Sequence, residues 1–327
     1  MYFWQNRKVL ITGASGFIGS HLVKKLVEKD ANIITLSKTK NLLKSQIIPQ
    51  SLIKKITSQQ IGKIEDFKLQ NKIIKNYNID TIFHLAAQPI VEIGKSTPIN
   101  TFEVNIKGTW NILEAARQNN VDKIIIASTV HVYGDNPNLP YREEYFPKPS
   151  RPYETSKACA DLLAQAYADS YNLPVEIPRF VNIYGPGDLN FSRLIPKTMK
   201  AILKGEQLKI WDIGSVRDFL YVDDAIEAYL MLVEKELPNK KRIRVLNFGT
   251  GNPVKILDLV KKIFRLTKKE IEVEIESTPN VRINEIPKQY VSIDKAKNLL
   301  GWYPQTSLEE GLIKTFEWYK RNVKSFL

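Results

Sequence analysis

Tyr153 and Lys157 stand four residues apart in Tyr153-Glu154-Thr155-Ser156-Lys157, with Ser128-Thr129 some two dozen residues upstream and a Gly-rich loop near the N-terminus. On a helix that spacing puts the phenol and the ammonium on one face. A neighbouring ammonium and a positive cofactor ring stabilise phenolate, which predicts a Tyr153 pKa below its usual value of about 10. Such a tyrosine can take the proton of a hydroxyl while a nicotinamide takes the hydride from the carbon that bears it. Tyr-x-x-x-Lys alone arises by chance in many helices. Behind a dinucleotide loop, and with a Thr hydroxyl ending an intervening strand, it points to an enzyme.

The loop is Thr12-Gly13-Ala14-Ser15-Gly16-Phe17-Ile18-Gly19, placed between a strand and a helix. Its glycines allow a tight turn and close backbone approach, and the helix N-terminus favours a pyrophosphate. The spacing is G-x-x-G-x-x-G, the variant of short-chain dehydrogenases, so Gly13, Ser15, Gly16, Phe17, Ile18 and Gly19 are expected to hold a dinucleotide. An acid at the end of the second strand selects NAD, whereas a basic residue accommodates the 2′-phosphate of NADP. Here the chain reads Leu36-Ser37-Lys38-Thr39. Lys38 and the missing acid at Ser37 tilt the site towards NADP. Lys63, in Gly62-Lys63-Ile64-Glu65-Asp66, stands where an acid contacting adenine is common.

These residues need a scaffold, and the first half supplies one by alternating β-rich runs with amphipathic stretches, the pattern of a parallel sheet covered on both faces. Strands are predicted at Lys8–Thr12, Ala31–Leu36, Thr81–Ala86, Lys123–Ser128 and Val175–Phe180, and helices at Phe17–Lys29, Ile99–Asn119 and Tyr153–Tyr171. The fold class is therefore α/β, a doubly wound Rossmann sheet with a smaller C-terminal region. After Tyr184-Gly185-Pro186-Gly187 the rhythm changes. Residues 1–180 are read as the dinucleotide-binding domain and 181–327 as mainly substrate-binding, with 216–247 returning to the first.

The 327 residues, 43% hydrophobic and 25% charged, describe a globular protein with a sizeable core. One cysteine, Cys159, excludes an internal disulfide, fits a reducing cytoplasm and reads as packing. No apolar run approaches the roughly 18 residues of a membrane helix, and Met1–Lys8 leads straight into a strand without a signal peptide. The net charge of +13 comes from scattered lysines that are not interleaved with aromatics, so nucleic acid is not the expected partner. No metal-ligating set is assigned.

Together the motifs resemble the extended short-chain dehydrogenase/reductase family, specifically the NAD-dependent epimerase/dehydratases of nucleotide sugars, over nearly the whole chain. They include the Gly loop, His84-Leu85-Ala86-Ala87, Asn105-Ile106-Lys107-Gly108-Thr109, Ser128-Thr129, Tyr153/Lys157, Arg179–Pro186 and Arg217–Val222. The C-terminal half looks most like CDP-glucose 4,6-dehydratases, through Ser156–Leu163, Gly187–Arg193 and Glu285–Tyr290. The resemblance implies that Thr129 hydrogen-bonds a sugar 4-hydroxyl, Tyr153 is the base, and Lys157 holds the nicotinamide ribose. It adds Ser37, Lys38, Ile64, Ala86, Ala87 and Asn105 to the cofactor site, with His84 shaping that pocket. Gln88, Asn182, Arg193, Arg217 and Arg282 are implied on the nucleotide sugar, where an arginine fork suits a diphosphate. It also implies a homodimer through the helices at Ile99–Asn119 and Tyr153–Tyr171.

One departure divides the possible reactions. Sugar 4,6-dehydratases of this family carry an acid directly after the catalytic Thr, and this chain reads Thr129-Val130-His131. Valine cannot protonate a leaving 6-hydroxyl. His131 takes the second position of the elimination pair, as an acid/base or as packing beneath the turn at Tyr133. Epimerisation at C4 needs no such pair and is the expected reaction. A CDP-glucose-like 4,6-dehydratase with a non-standard acid is the alternative, and a non-catalytic RNA- or partner-binding relative is a third.

Overall fold

The structure, a computed structural model, describes residues 3–39, 46–210, 213–235, 244–275 and 286–322. Arg282 lies outside the described residues. The chain begins β1 (Lys8–Thr12), α1 (Phe17–Glu28), β2 (Asn32–Ser37), α2 (Gln50–Ile53), β3 (Ser58–Ile61), α3 (Phe67–Tyr77) and β4 (Thr81–His84). Next come α4 (Val91–Ser96), α5 (Pro98–Phe102), a π-helical turn at Glu103–Lys107, and α6 (Gly108–Gln118). They are followed by β5 (Lys123–Ile126), β6 (Ser128–Thr129), a 3₁₀ turn at Val130–Tyr133, α7 (Pro152–Tyr171) and β7 (Val175–Phe180).

Seven strands run in the order β12-β7-β5-β4-β1-β2-β3, all parallel, with β6 also paired to β7. Strand side chains alternate between faces, and both faces are buried here. Val9 and Ile11 of β1 join one core with Leu22, Val23 and Leu26 of α1, while Leu10 joins the other with Ile73 of α3 and Ile112 of α6. Ile125 of β5 likewise parts from Ile124 and Ile126. Runs of consecutive apolar residues, such as Val9–Ile11 and Ile124–Ile126, are thus what a sheet sandwiched between two helical layers requires.

The later elements are β8 (Asn182–Tyr184), α8 (Leu194–Lys204), β9 (Leu208–Ile210), β10 (Val216–Arg217), β11 (Phe219–Tyr221), α9 (Val222–Glu234) and β12 (Val245–Phe248). The rest are β13 (Val254–Lys255), α10 (Ile256–Thr267), β14 (Val273–Ile275), β15 (Lys288–Gln289), α11 (Asp294–Leu300) and α12 (Leu308–Asn322). β12 rejoins the main sheet beside β7, whereas β8–β11, β9–β14 and β13–β10–β15 form small separate sheets. Asp218, between β10 and β11, ties that segment to the turn after β12, accepting from the backbone N–H groups of Thr250 at 2.9 Å and Gly251 at 3.1 Å. Among the described residues no helix is long and apolar enough to cross a membrane.

Candidate active site

The Gly loop closes where β1 meets α1. Gly13 has φ +71°, and a Cβ there would press on the backbone of Ala86 at 2.8 Å. A Cβ on Gly19 would collide with the Gly13 carbonyl, so glycine lets the helix close onto the turn. Gly16 caps α1 without a side-chain bond, leaving first-turn N–H groups for an anion. Ser15 and Gly16 are exposed, while Phe17 and Ile18 are half-buried.

Beside this cradle, Ser37 ends β2 with a buried hydroxyl that has no hydrogen-bond partner. An orphaned hydroxyl at a strand end is costly unless something arrives to bond it, and a dinucleotide ribose fits. Lys38 is exposed next to it, Lys63 is exposed, and Ile64 is buried against Gly108. Asp66, within the same run, instead caps α3 by accepting from Leu69 N–H at 3.0 Å.

His84 ends β4 fully within the fold, between Thr12 Oγ1 at 2.9 Å and Thr109 Oγ1 at 3.1 Å. Burial, and then the charge of Lys157, lower its pKa to about 3, so it stays neutral and braces the pocket. The π turn aims Asn105 inward, where its amide accepts from Gln88 N–H at 2.7 Å and donates to Ser156 Oγ at 2.8 Å. Ser156 in turn donates to the Tyr153 carbonyl at 2.7 Å. Asn105 therefore fixes the Ala86–Gln88 loop to the first turns of α7. Gln88 donates to Thr101 and to the Ile90 carbonyl, both at 3.0 Å, which makes its side chain a brace for that loop.

α7 starts at Pro152, a residue suited to the first helical position, and so places Tyr153 and Lys157 beside β6. Tyr153 is half-buried, and Lys157 is buried. Lys157 donates to the Ala127 carbonyl at 2.5 Å. Burial lowers its pKa to about 8, against a raising influence from Asp161. From the protein's own groups alone, burial dominates and pushes the Tyr153 phenol up to about 12, opposite to the lowering expected from the sequence with a positive cofactor ring beside it; Arg193 works to lower it and Glu154 to raise it. Desolvation of the phenol is the cause, and the Lys157 ammonium, held on the Ala127 carbonyl, is not among the groups that lower it.

Thr129 is half-buried at the end of β6, and its Oγ1 accepts from His131 N–H at 3.4 Å. Behind it, Ser128 donates to Asp161 at 2.6 Å, and Arg179 of β7 makes paired bonds of 2.9 Å to the same carboxylate. This buried set locks α7, which carries Tyr153, to β6, which ends in Thr129, and to β7. Sequence reasoning missed Asp161 and Arg179, although Asp161 lies one turn after Lys157. Cys159 is a half-buried free thiol on the same helix.

Of the residues expected on the substrate, Arg193 precedes α8 and pairs with Asp188 at 3.0 Å. Asn182 donates to the Asp218 carbonyl at 3.3 Å, and Arg217 to the Val216 carbonyl at 3.0 Å. The charge of Arg193 reaches the Tyr153 phenol, which puts these two candidate residues in one region.

A model of the family described as GDP-mannose 4,6 dehydratase matches residues 10–315. The chain belongs to that family. The chain is also similar to a dTDP-D-glucose 4,6-dehydratase of Bos taurus, 31% identical, with 97% of this chain and 89% of the relative covered. Among solved structures, the family fold returns in the UDP-glucose 4-epimerase of Thermotoga maritima with UDP-glucose, at TM-score 0.85 and 31% identity over 97% of this chain and 99% of that one. The dTDP-glucose 4,6-dehydratase of Bacillus anthracis in complex with NAD gives TM-score 0.81 and 28% identity over 97% and 98%. Epimerases and 4,6-dehydratases thus share the family's scaffold with this chain.

Proposed function

We propose that the protein is an NAD(P)-dependent nucleotide-sugar epimerase that oxidises and re-reduces its sugar at C4. The observation that carries this reading is Val130, fully buried directly after Thr129. An apolar side chain sunk in the core supplies no acid for expelling a 6-hydroxyl. In this reading Thr129 hydrogen-bonds the 4-hydroxyl and Tyr153 takes its proton. Lys157 holds the cofactor ribose. When bound, the nicotinamide supplies a positive charge beside the phenol and takes up and returns the sugar's hydride.

The Gly loop, Ser37, Lys38, Ile64, Ala86, Ala87 and Asn105 would hold the dinucleotide. NAD is supported by the relatives' bound cofactor, and the exposed Lys38 leaves room for NADP. Asn182, Arg193 and Arg217 would face the nucleotide sugar, Gln88 would shape that pocket through the loop it braces, and the family resemblance adds Arg282. Residues 1–180 then serve the cofactor and 181–327 mainly the substrate, with 216–247 returning to the first region, in a cytoplasmic homodimer.

The test is NMR of products from UDP-, CDP-, GDP- and dTDP-hexoses incubated with NAD and with NADP. Inversion at C4 is expected, and Tyr153→Phe should abolish it while leaving nucleotide-sugar binding nearly intact. A 4-keto-6-deoxy product would overturn epimerisation. It would favour the 4,6-dehydratase reading, which the family match and the dehydratase relatives support.

A further inference from the structure

His131 sits in the 3₁₀ turn after Thr129 with its ring edge-on to that of Tyr153, the centroids 6.0 Å apart and the planes at 71°. About a quarter of its side chain, 23%, stays open. Its Nδ1 is buried without a hydrogen-bond partner, yet it lies 3.5 Å from Oε1 of Glu154. That distance is just beyond a good hydrogen bond, and contacts in an active site tighten when substrate binds.

Glu154 is the residue after Tyr153 and has no exposed surface. A buried carboxylate costs several kcal/mol unless it is paired. Arg151 pairs with it, donating from Nε at 2.9 Å and Nη2 at 2.5 Å, and Ser150 N–H approaches its other oxygen at 3.4 Å. Although burial works to raise its pKa, His131 and Arg151 hold Glu154 down at about 2. An ionised carboxylate therefore stands behind an imidazole that faces the catalytic tyrosine. A base oriented by a third group is the arrangement that proton transfer needs. Packing beneath the Tyr133 turn would not require a buried acid with its own arginine.

We infer that His131 is a second proton-transfer residue of this site, acting on the carbon next to the sugar ketone, and that Glu154 is the positioning residue that holds its Nδ1–H. The inference rests on the C4 oxidation proposed above. Once C4 is a ketone, the hydrogens on its neighbouring carbons are acidic. His131 Nε2 takes one of them as a proton. The C–H electron pair moves onto the ketone oxygen, where the Tyr153 and Thr129 hydroxyls stabilise the enolate. Glu154 offsets the charge of the imidazolium. Return of the proton restores the ketone, with no net oxidation, and brings in hydrogen from solvent.

Two measurements test this. The chain has three histidines, so long-range ¹H–¹⁵N NMR can assign each ring. His131 should carry its proton on Nδ1, and Glu154→Gln should abolish that preference. Should Glu154→Gln fail to fold, the wild-type tautomer alone decides, and a proton on Nε2 overturns the pairing. The second is single turnover in D₂O with UDP-, dTDP-, CDP- and GDP-glucose. Wild type should place deuterium on a carbon adjacent to C4, and His131→Gln should lower the ratio of that deuteration to nicotinamide reduction about 100-fold. Nicotinamide reduction without deuteration in the wild type overturns the role of His131 and leaves the C4 reading standing. No nicotinamide reduction with any of the four sugars removes the C4 reading, and this inference with it.

Discussion

Lys157 enters the folded state as a buried ammonium whose pKa falls from 10.5 to about 8. Below pH 8 both folded and unfolded chains hold the proton, and the fold bears the full cost of burial. Between about 8 and 10.5 the folded chain releases a proton that the unfolded chain keeps, so stability rises with pH; above 10.5 it levels off. Measured by urea unfolding, wild type should therefore gain roughly 3 kcal/mol on Lys157→Met across that window. A pH-independent difference would mean the ammonium is solvated. The position of Lys157 was readable from its spacing to Tyr153, but its environment was not, because desolvation is set by chain segments far away in sequence. The same holds for Glu154. An acid beside a helical tyrosine reads as a solvated face, and its burial against His131 appears only once α7 docks on the 3₁₀ turn.

At the level of elements, the Ser128–Asp161–Arg179 set is what joins helix to sheet under the site. Asp161→Asn would leave the Arg179 guanidinium, 1% exposed, without its carboxylate. Breaking a buried pair costs about 3–5 kcal/mol, and chemical denaturation should show a loss of that order. A loss under about 1 kcal/mol would mean that water or a neighbour takes over the charge. Elements with strong patterns were legible: β1, β7 and the Gly-loop helix follow from apolar runs and glycine spacing. Others were hidden for physical reasons. β3 reads Ser58-Gln59-Gln60-Ile61, an edge strand with little apolar signal, and it had no predicted counterpart. The predicted strand Lys123–Ser128 ends at Ile126, and Ser128–Thr129 pairs with β7 separately. The break falls at Ala127, whose carbonyl receives Lys157. A π turn inside a helix keeps the apolar period nearly intact, so Glu103–Lys107 gave no sign of itself in the sequence.

On the scale of the whole molecule, α5, α6 and α7 present large apolar groups to solvent. Ile99 is 78% exposed, and Trp110, Leu162 and Tyr171 are exposed as well. Exposed apolar groups of this size on adjacent helices fit a protein interface, and these are the helices on which the proposed homodimer rests. Sedimentation should find a dimer whose dissociation constant rises at least tenfold in Trp110→Glu with Leu162→Glu, without loss of fold by circular dichroism. A wild-type monomer at micromolar concentration would refute the dimer.

The last strand of the main sheet has a consequence for building hybrid enzymes. β12 is contributed by residues 245–248, far along the chain, and it covers the outer edge of β7. A chimaera that keeps residues 1–180 and takes everything after them from a relative must therefore import a strand that matches β7 in length and register. If the donor strand fits poorly, the unpaired amides of β7 become a template for aggregation. Crossovers that exchange substrate preference while retaining the recipient's own residues 245–248 are the ones expected to remain soluble.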